Sequence, residues 1–131
     1  MTASAQHLEH LLELLAGAGP VIARRMFGGA GLYADGIMFA LVANDILYLK
    51  ADAETEPRFR DAGMIPFTYT GRGKAVVMSY WRAPEHLYDE PDEMVEWARA
   101  AMAAARRAQA KKPATPASPA GPRRKLPTRP K

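Results

Sequence analysis

The chain has 131 residues, room for one domain, and its 48% hydrophobic content is enough for an ordinary core. The net charge of +4 hides a division: residues 1–110 hold 11 Lys and Arg with all 14 Asp and Glu, whereas residues 111–131 hold seven cations and no acid. Without cysteine there is no disulfide framework, thiolate nucleophile or cysteine-based zinc site, and no apolar run approaches the ~20 residues of a membrane span.

Near the N-terminus, Leu8, Leu11, Leu12 and Leu15 fall at i, i+3, i+4 and i+7, with His7, Glu9, His10 and Glu13 on the other faces. This spacing predicts an amphipathic helix over residues 4–16, ended by Gly17, Gly19 and Pro20. The charges among those leucines argue against a signal peptide and place the protein in the cytoplasm. From Val21 the period changes. Three runs, one carrying Met26, Phe27, Leu32 and Tyr33, then Ile37 to Val42, then Ile46 to Leu49, predict an antiparallel meander, with turns at Asp35-Gly36 and Asn44-Asp45. Gly28-Gly29-Ala30-Gly31 lacks the G-x-G-x-x-G spacing and no helix opens after it, so it reads as a kink or bulge in the first strand, not as a phosphate cradle.

Residues 52–62 return to helical character, with Thr55 as N-cap, Pro57 in the first turn and Gly63 just past the end. Pro66 to Thr70 and Ala75 to Trp81 then form a hairpin tipped by Gly71-Arg72-Gly73-Lys74, whose Gly-Lys ending lacks the upstream glycine and following helix of a phosphate-binding loop. A long helix opens at Pro91 with Asp92, Glu93 and Glu96 against its positive end, and buries Met94, Trp97, Ala98, Ala101, Met102 and Ala105. From residue 113 onward, six prolines (Pro113, Pro116, Pro119, Pro122, Pro127, Pro130) and a single large apolar residue, Leu126, predict a disordered, extended basic segment. The reading is an α+β domain over residues 1–110, ordered α-β3-α-β2-α with helices packed on one antiparallel sheet, followed by a tail over 111–131.

Five segments, in order, carry a resemblance: Arg25-Met26-Phe27-Gly28-Gly29-Ala30-Gly31-Leu32-Tyr33, Gly36 to Val42, Leu47-Tyr48-Leu49-Lys50, Gly63 to Tyr69, and Met78-Ser79-Tyr80-Trp81-Arg82-Ala83-Pro84. Together they are similar to the TfoX N-terminal domain family over roughly residues 6–108. The resemblance implies a small α+β domain found in bacterial proteins linked to regulation of natural competence, with no enzyme activity or cofactor. Full-length regulators of that family carry a second, C-terminal domain, in whose place this chain has its basic tail.

Among the candidate functional residues, Tyr80 and Trp81 have two readings: plain core packing, or, since alternation turns one of them outward beside Arg82, an anchor for a protein partner. Arg25, Phe27, Gly28 and Gly29 on the kinked strand form a second contact region. Nucleic acid is the partner suggested for Arg72 and Lys74 on the hairpin tip and for Lys111, Lys112, Arg123, Arg124, Lys125, Arg129 and Lys131 in the tail, which has no aromatic residue for base stacking. Two readings follow: a regulatory module that binds a protein through the domain and nucleic acid unselectively through the tail, or a direct nucleic-acid binder uniting the tail with Arg24, Arg25, Arg72 and Lys74. The −3 charge of residues 1–110 favours the first. Self-pairing through a strand edge is a further partner expectation. His7 and His10 read as a solvated helix face, and Asp89 to Glu96 as the start of a helix, so no catalytic residue, metal or cofactor is assigned. A small enzyme would need a pocket joining His86, Ser79, Tyr80 or those carboxylates.

Overall fold

A computed structural model of the protein describes residues 4–26, 29–71 and 73–111. The first helix, α1, spans Ala5–Leu15; Ser4 caps it, its hydroxyl accepting the His7 N–H at 3.2 Å. Leu8, Leu11 and Leu15 are its buried stripe, and one 3-10 turn, Ala16–Ala18, follows.

Six strands come next in two groups. β1 (Ile22–Met26), β2 (Gly29–Ala34), β3 (Ile37–Ala43) and β4 (Ile46–Lys50) precede the short helix α2 (Glu56–Asp61); β5 (Pro66–Gly71) and β6 (Lys74–Arg82) follow it. A 3-10 helix, Glu85–Asp89, leads into α3 (Pro91–Lys111). All neighbours are antiparallel, in the order β1-β2-β3-β4-β6-β5. The α+β class expected from the sequence is therefore the observed one. The strand count differs: the first of the three expected strands is two, because the chain reverses between Met26 and Gly29, which face each other in the β1–β2 register. The glycines serve this arrangement. A Cβ on Gly29 would lie 2.3 Å from the Val42 carbonyl oxygen, and one on Gly31 would lie 2.8 Å from the Met38 sulfur. Only glycine lets β2 pass this close to its neighbours. The irregularity expected in this region falls later, as a register shift between Leu32 and Tyr33.

Both tight turns have the backbone that their residue types favour. Asp35 and Gly36 have φ of 54° and 77°, and Asn44 and Asp45 have φ of 54° and 55°, the positive pairs of primed hairpin turns. At α2 the N-cap position is Thr55, but its hydroxyl bonds no helix N–H; it accepts the Asp52 N–H at 3.0 Å and so closes the loop before the helix.

Every helix contributes to one core on one side of the sheet. Leu11 and Leu15 of α1, Phe59 of α2 and Met94, Trp97 and Ala98 of α3 pack with Phe39, Val42, Leu47, Leu49 and Trp81 of the strands. Phe59 stands edge-on to Trp97 at 5.0 Å and tilts against Trp81 at 6.0 Å, a geometry that adds to plain area burial. The other side of the sheet has a separate apolar cluster made by strands alone: Leu41, Ala43 and Tyr80, flanked by Met38, Tyr48, Phe67 and Met78.

Candidate functional site

Two places concentrate chemistry. The first is that open side of the sheet. In the strand registers Ile22, Tyr33 and Met38 lie opposite one another, as do Lys50 and Tyr80. Two cations lie over tyrosines here: the Arg24 guanidinium is 5.4 Å from the Tyr33 ring centre, and the Lys50 ammonium 5.1 Å from that of Tyr80. Met38 links the two pairs, because its carbonyl accepts the Tyr80 hydroxyl at 3.4 Å while the residue itself faces Tyr33. Burial pushes the Tyr80 phenol above its ordinary pKa, so it remains an uncharged donor. Tyr48 and Phe67 meet edge to face at 4.9 Å beside this pair.

The electrostatics of the domain follow its layers. The strands hold Arg24, Arg25, Lys50, Lys74 and Arg82 and not one of the 14 acids. Outside the strands, the described residues hold all 14 acids against Arg58, Arg60, Arg99, Arg106, Arg107 and Lys111. A domain that counts as mildly acidic thus has strands that carry only cations, with its acids in the helices, turns and loops around the sheet.

The second place is a cleft of 390 Å³ bordered by His7, Asp45, Leu47, Arg82, Glu85, Tyr88 and Asp89. His7 Nε2 lies 2.9 Å from the Tyr88 hydroxyl, and His7 Nδ1 lies 3.4 Å from Asp45 Oδ1. Burial pushes the Tyr88 phenol up to about 12, so the hydroxyl keeps its proton beside the imidazole. Asp45 also accepts the Ser4 N–H at 2.7 Å, the main reason its carboxyl sits below the ordinary range. His10 stacks on the other partner of this chain, Tyr88, at 6.1 Å. The Ser4 hydroxyl caps α1. Carboxylate, imidazole and phenol here tie the start of α1 to the β3–β4 turn and to the 3-10 helix. They form a clamp.

The anchors expected from the sequence are placed differently. Tyr80 and Trp81 do take opposite faces, but each is only 8% exposed, so neither projects from the surface. Trp81 is core, held by Phe59 and with the Arg60 guanidinium 5.4 Å from its ring centre. Leu41 and Phe67 close around Tyr80 even without a helix above it. Arg24 and Arg25 are exposed on the edge strand β1, whereas Gly29 is buried under Val42; Phe27 and Gly28 lie outside the described residues. Arg72, Lys112, Arg123, Arg124, Lys125, Arg129 and Lys131 lie outside them too, and for Lys74 and Lys111 only the backbone is described, in β6 and at the end of α3. His7 is not on a solvated face, as expected from the sequence, but half-buried in the clamp. His86 pairs with Glu93 at 2.9 Å on the surface, away from Tyr80 and Ser79. Among the described residues, no three His, Asp or Glu side chains converge as a metal site.

Sequence reasoning missed the clamp because its members lie 38 and 81 positions apart. It also missed the charged layers, although their signal was present: counting acids strand by strand, and not over the whole domain, finds none.

The fold and this surface define a small α+β domain with one sheet face that no helix among the described residues covers and strands that hold no acid. The TfoX N-terminal domain family matches residues 13–105, and the chain belongs to that family, which groups regulatory domains and not known enzymes. It is also similar to the DNA transformation protein TfoX1 of Aliivibrio fischeri (strain ATCC 700601 / ES114), at 29% identity over 72 residues. That match covers 55% of this chain and 34% of the relative, so the chain spans about a third of that protein's length. Among the described residues no helix is long and apolar enough to cross a membrane.

Proposed function

We propose that the protein is a non-enzymatic regulatory module that acts by binding. Its α+β domain engages a protein partner through the open sheet face, and the basic segment that follows adds unselective affinity for nucleic acid. The observation that carries the reading is the layered charge, which gives the uncovered, methionine- and aromatic-rich face a sign of its own. The polar cleft supports it from the other side, since its titratable groups are spent in holding three elements together. The relative is named for DNA transformation, and regulation of that process is the role we assign to this module.

The division of labour is tested in the full chain against a variant in which Lys111, Lys112, Arg123, Arg124, Lys125, Arg129 and Lys131 are all glutamine. Fluorescence anisotropy with a short duplex should give the full chain a log–log salt slope of roughly −4 to −5 if about five phosphates are contacted. The glutamine variant should lose that affinity and keep its fold. Undiminished duplex binding by the variant would overturn the assignment to the tail.

A further inference from the structure

Resting on that reading, we propose that the open sheet face binds an acidic amphipathic segment of the partner protein, with its acids set against Arg24 and Lys50 and its apolar residues laid over Met38. The geometry is specific. Arg24 stands on β1 and Lys50 on β4, three strand spacings apart, or about 14 Å. Between them lie Tyr33 on β2 and Met38 on β3, and the Tyr80 side chain reaches in from β6, beyond Lys50, to bond the Met38 carbonyl. A helix covers about 14 Å in roughly ten residues. The occupant that fits therefore presents two carboxylates about three turns apart, with large apolar side chains on the same face between them. Methionines suit such a ligand because their unbranched, polarisable side chains adapt to the groups laid on them. Arg24 lies over the Tyr33 ring, and Lys50 lies over the Tyr80 ring while donating to the Ser79 hydroxyl at 2.5 Å, so both cations are placed before a carboxylate arrives.

Charge complementarity selects the occupant. No strand holds an acid, so an acidic ligand meets no like charge on the sheet itself. Single-stranded nucleic acid shares the charge but not the stacking requirement. The tyrosine rings of this face are engaged by cations or by neighbouring rings, and Tyr80 is 8% exposed, so they do not stand clear as platforms for bases. A second copy of the chain could offer only α-helices whose acids are nearly matched by cations, and sheet-to-helix contact is head-to-tail and does not close on a two-fold axis.

The test uses the full chain with three fluorescein-labelled probes: a peptide helix with glutamates about three turns apart and leucines between them, the same peptide with lysine for glutamate, and a single-stranded oligothymidine. NMR of the methionine methyl groups reads where each probe lands. The acidic peptide should bind, shift Met38 and Met78, and lose about tenfold or more in affinity when Arg24→Glu and Lys50→Glu are combined in a variant whose thermal unfolding is unchanged. The lysine peptide should not bind. Equal binding of the lysine peptide, oligothymidine shifting the same methyl groups more strongly, or probe-free self-association abolished by the double variant would each overturn the proposal. A photo-crosslinking residue at Tyr48 on the open face, compared with one at Glu96 on the outside of α3, separates this inference from the broader one. Crosslinks from position 48 to an acidic partner segment support it. Crosslinks from position 96 alone leave a binding module that uses another face and sink the open-face site; crosslinks from neither position, with no peptide binding, overturn both.

Discussion

His7 and Tyr88 are 81 positions apart in sequence, yet the imidazole Nε2 lies 2.9 Å from the phenol oxygen and the two rings stack at 5.7 Å. This contact fixes α1 to the 3-10 helix that precedes α3, next to the Ser4 and His7 contacts with Asp45 in the β3–β4 turn. Tyr88→Phe keeps the ring and its stacking and removes only the hydroxyl, leaving a half-buried imidazole nitrogen without this hydrogen-bond partner. The variant should lose about 1 kcal/mol, read as a lower urea midpoint with an unchanged slope. A midpoint equal to that of the parent would show that water replaces the phenol at no cost.

Arg107 donates to both carboxylate oxygens of Asp52, at 2.7 and 3.1 Å, and ties α3 to the loop before α2. Those hydrogen bonds hold the Asp52 carboxyl below its ordinary value of 3.8. A depressed folded-state value means the unfolded chain takes up protons first. The contribution is therefore complete above about pH 4 and fades as the pH falls below 3.8 toward the folded-state value. Asp52→Asn should be less stable than the parent at pH 7, and the gap should narrow as urea midpoints are followed down to pH 3. A gap that holds or widens in acid would mean that the ion pair is not its source.

Gly29 and Gly36 separate two uses of glycine. At Gly29 an alanine Cβ would meet the Val42 carbonyl oxygen at 2.3 Å, a backbone atom that cannot swing aside. Gly29→Ala should cost about 3 kcal/mol or prevent β2 from pairing. At Gly36, where nothing crowds the added atom and only the φ of 77° opposes it, Gly36→Ala should cost about 1 kcal/mol. Thermal unfolding of the two variants checks the ranking, and equal losses would refute it.

Trp81→Ala should behave as a core mutation. With the ring 8% exposed and packed on Phe59, its removal should cost about 3–5 kcal/mol, enough to unfold a marginal domain. Circular dichroism of the purified variant decides between this and a surface role, in which the fold would stay intact.

Local chemistry fixed most of the element boundaries. The leucine spacing of α1, the paired turn residues at Asp35-Gly36 and Asn44-Asp45, and the proline and acids that open α3 each act within a few residues of chain, so they are legible in a string of letters. Glycine was ambiguous. Gly29 and Gly31 announce an unusual backbone, but whether that is a kink or a reversal depends on what β3 places beside them.

By itself, then, the sequence determined the α+β class, the family resemblance and the uneven charge along the chain. Tertiary structure decided which of those charges share a surface. Hydrogen-bonded registers carried Arg24 and Lys50 to one side of the sheet, while the apolar stripes of three helices packed on the other, and every acid fell outside the strands. Tyr80 and Trp81 show the same limit: alternation told that they part, but only packing, which is non-local and set by neighbours far along the chain, decided that both are enclosed.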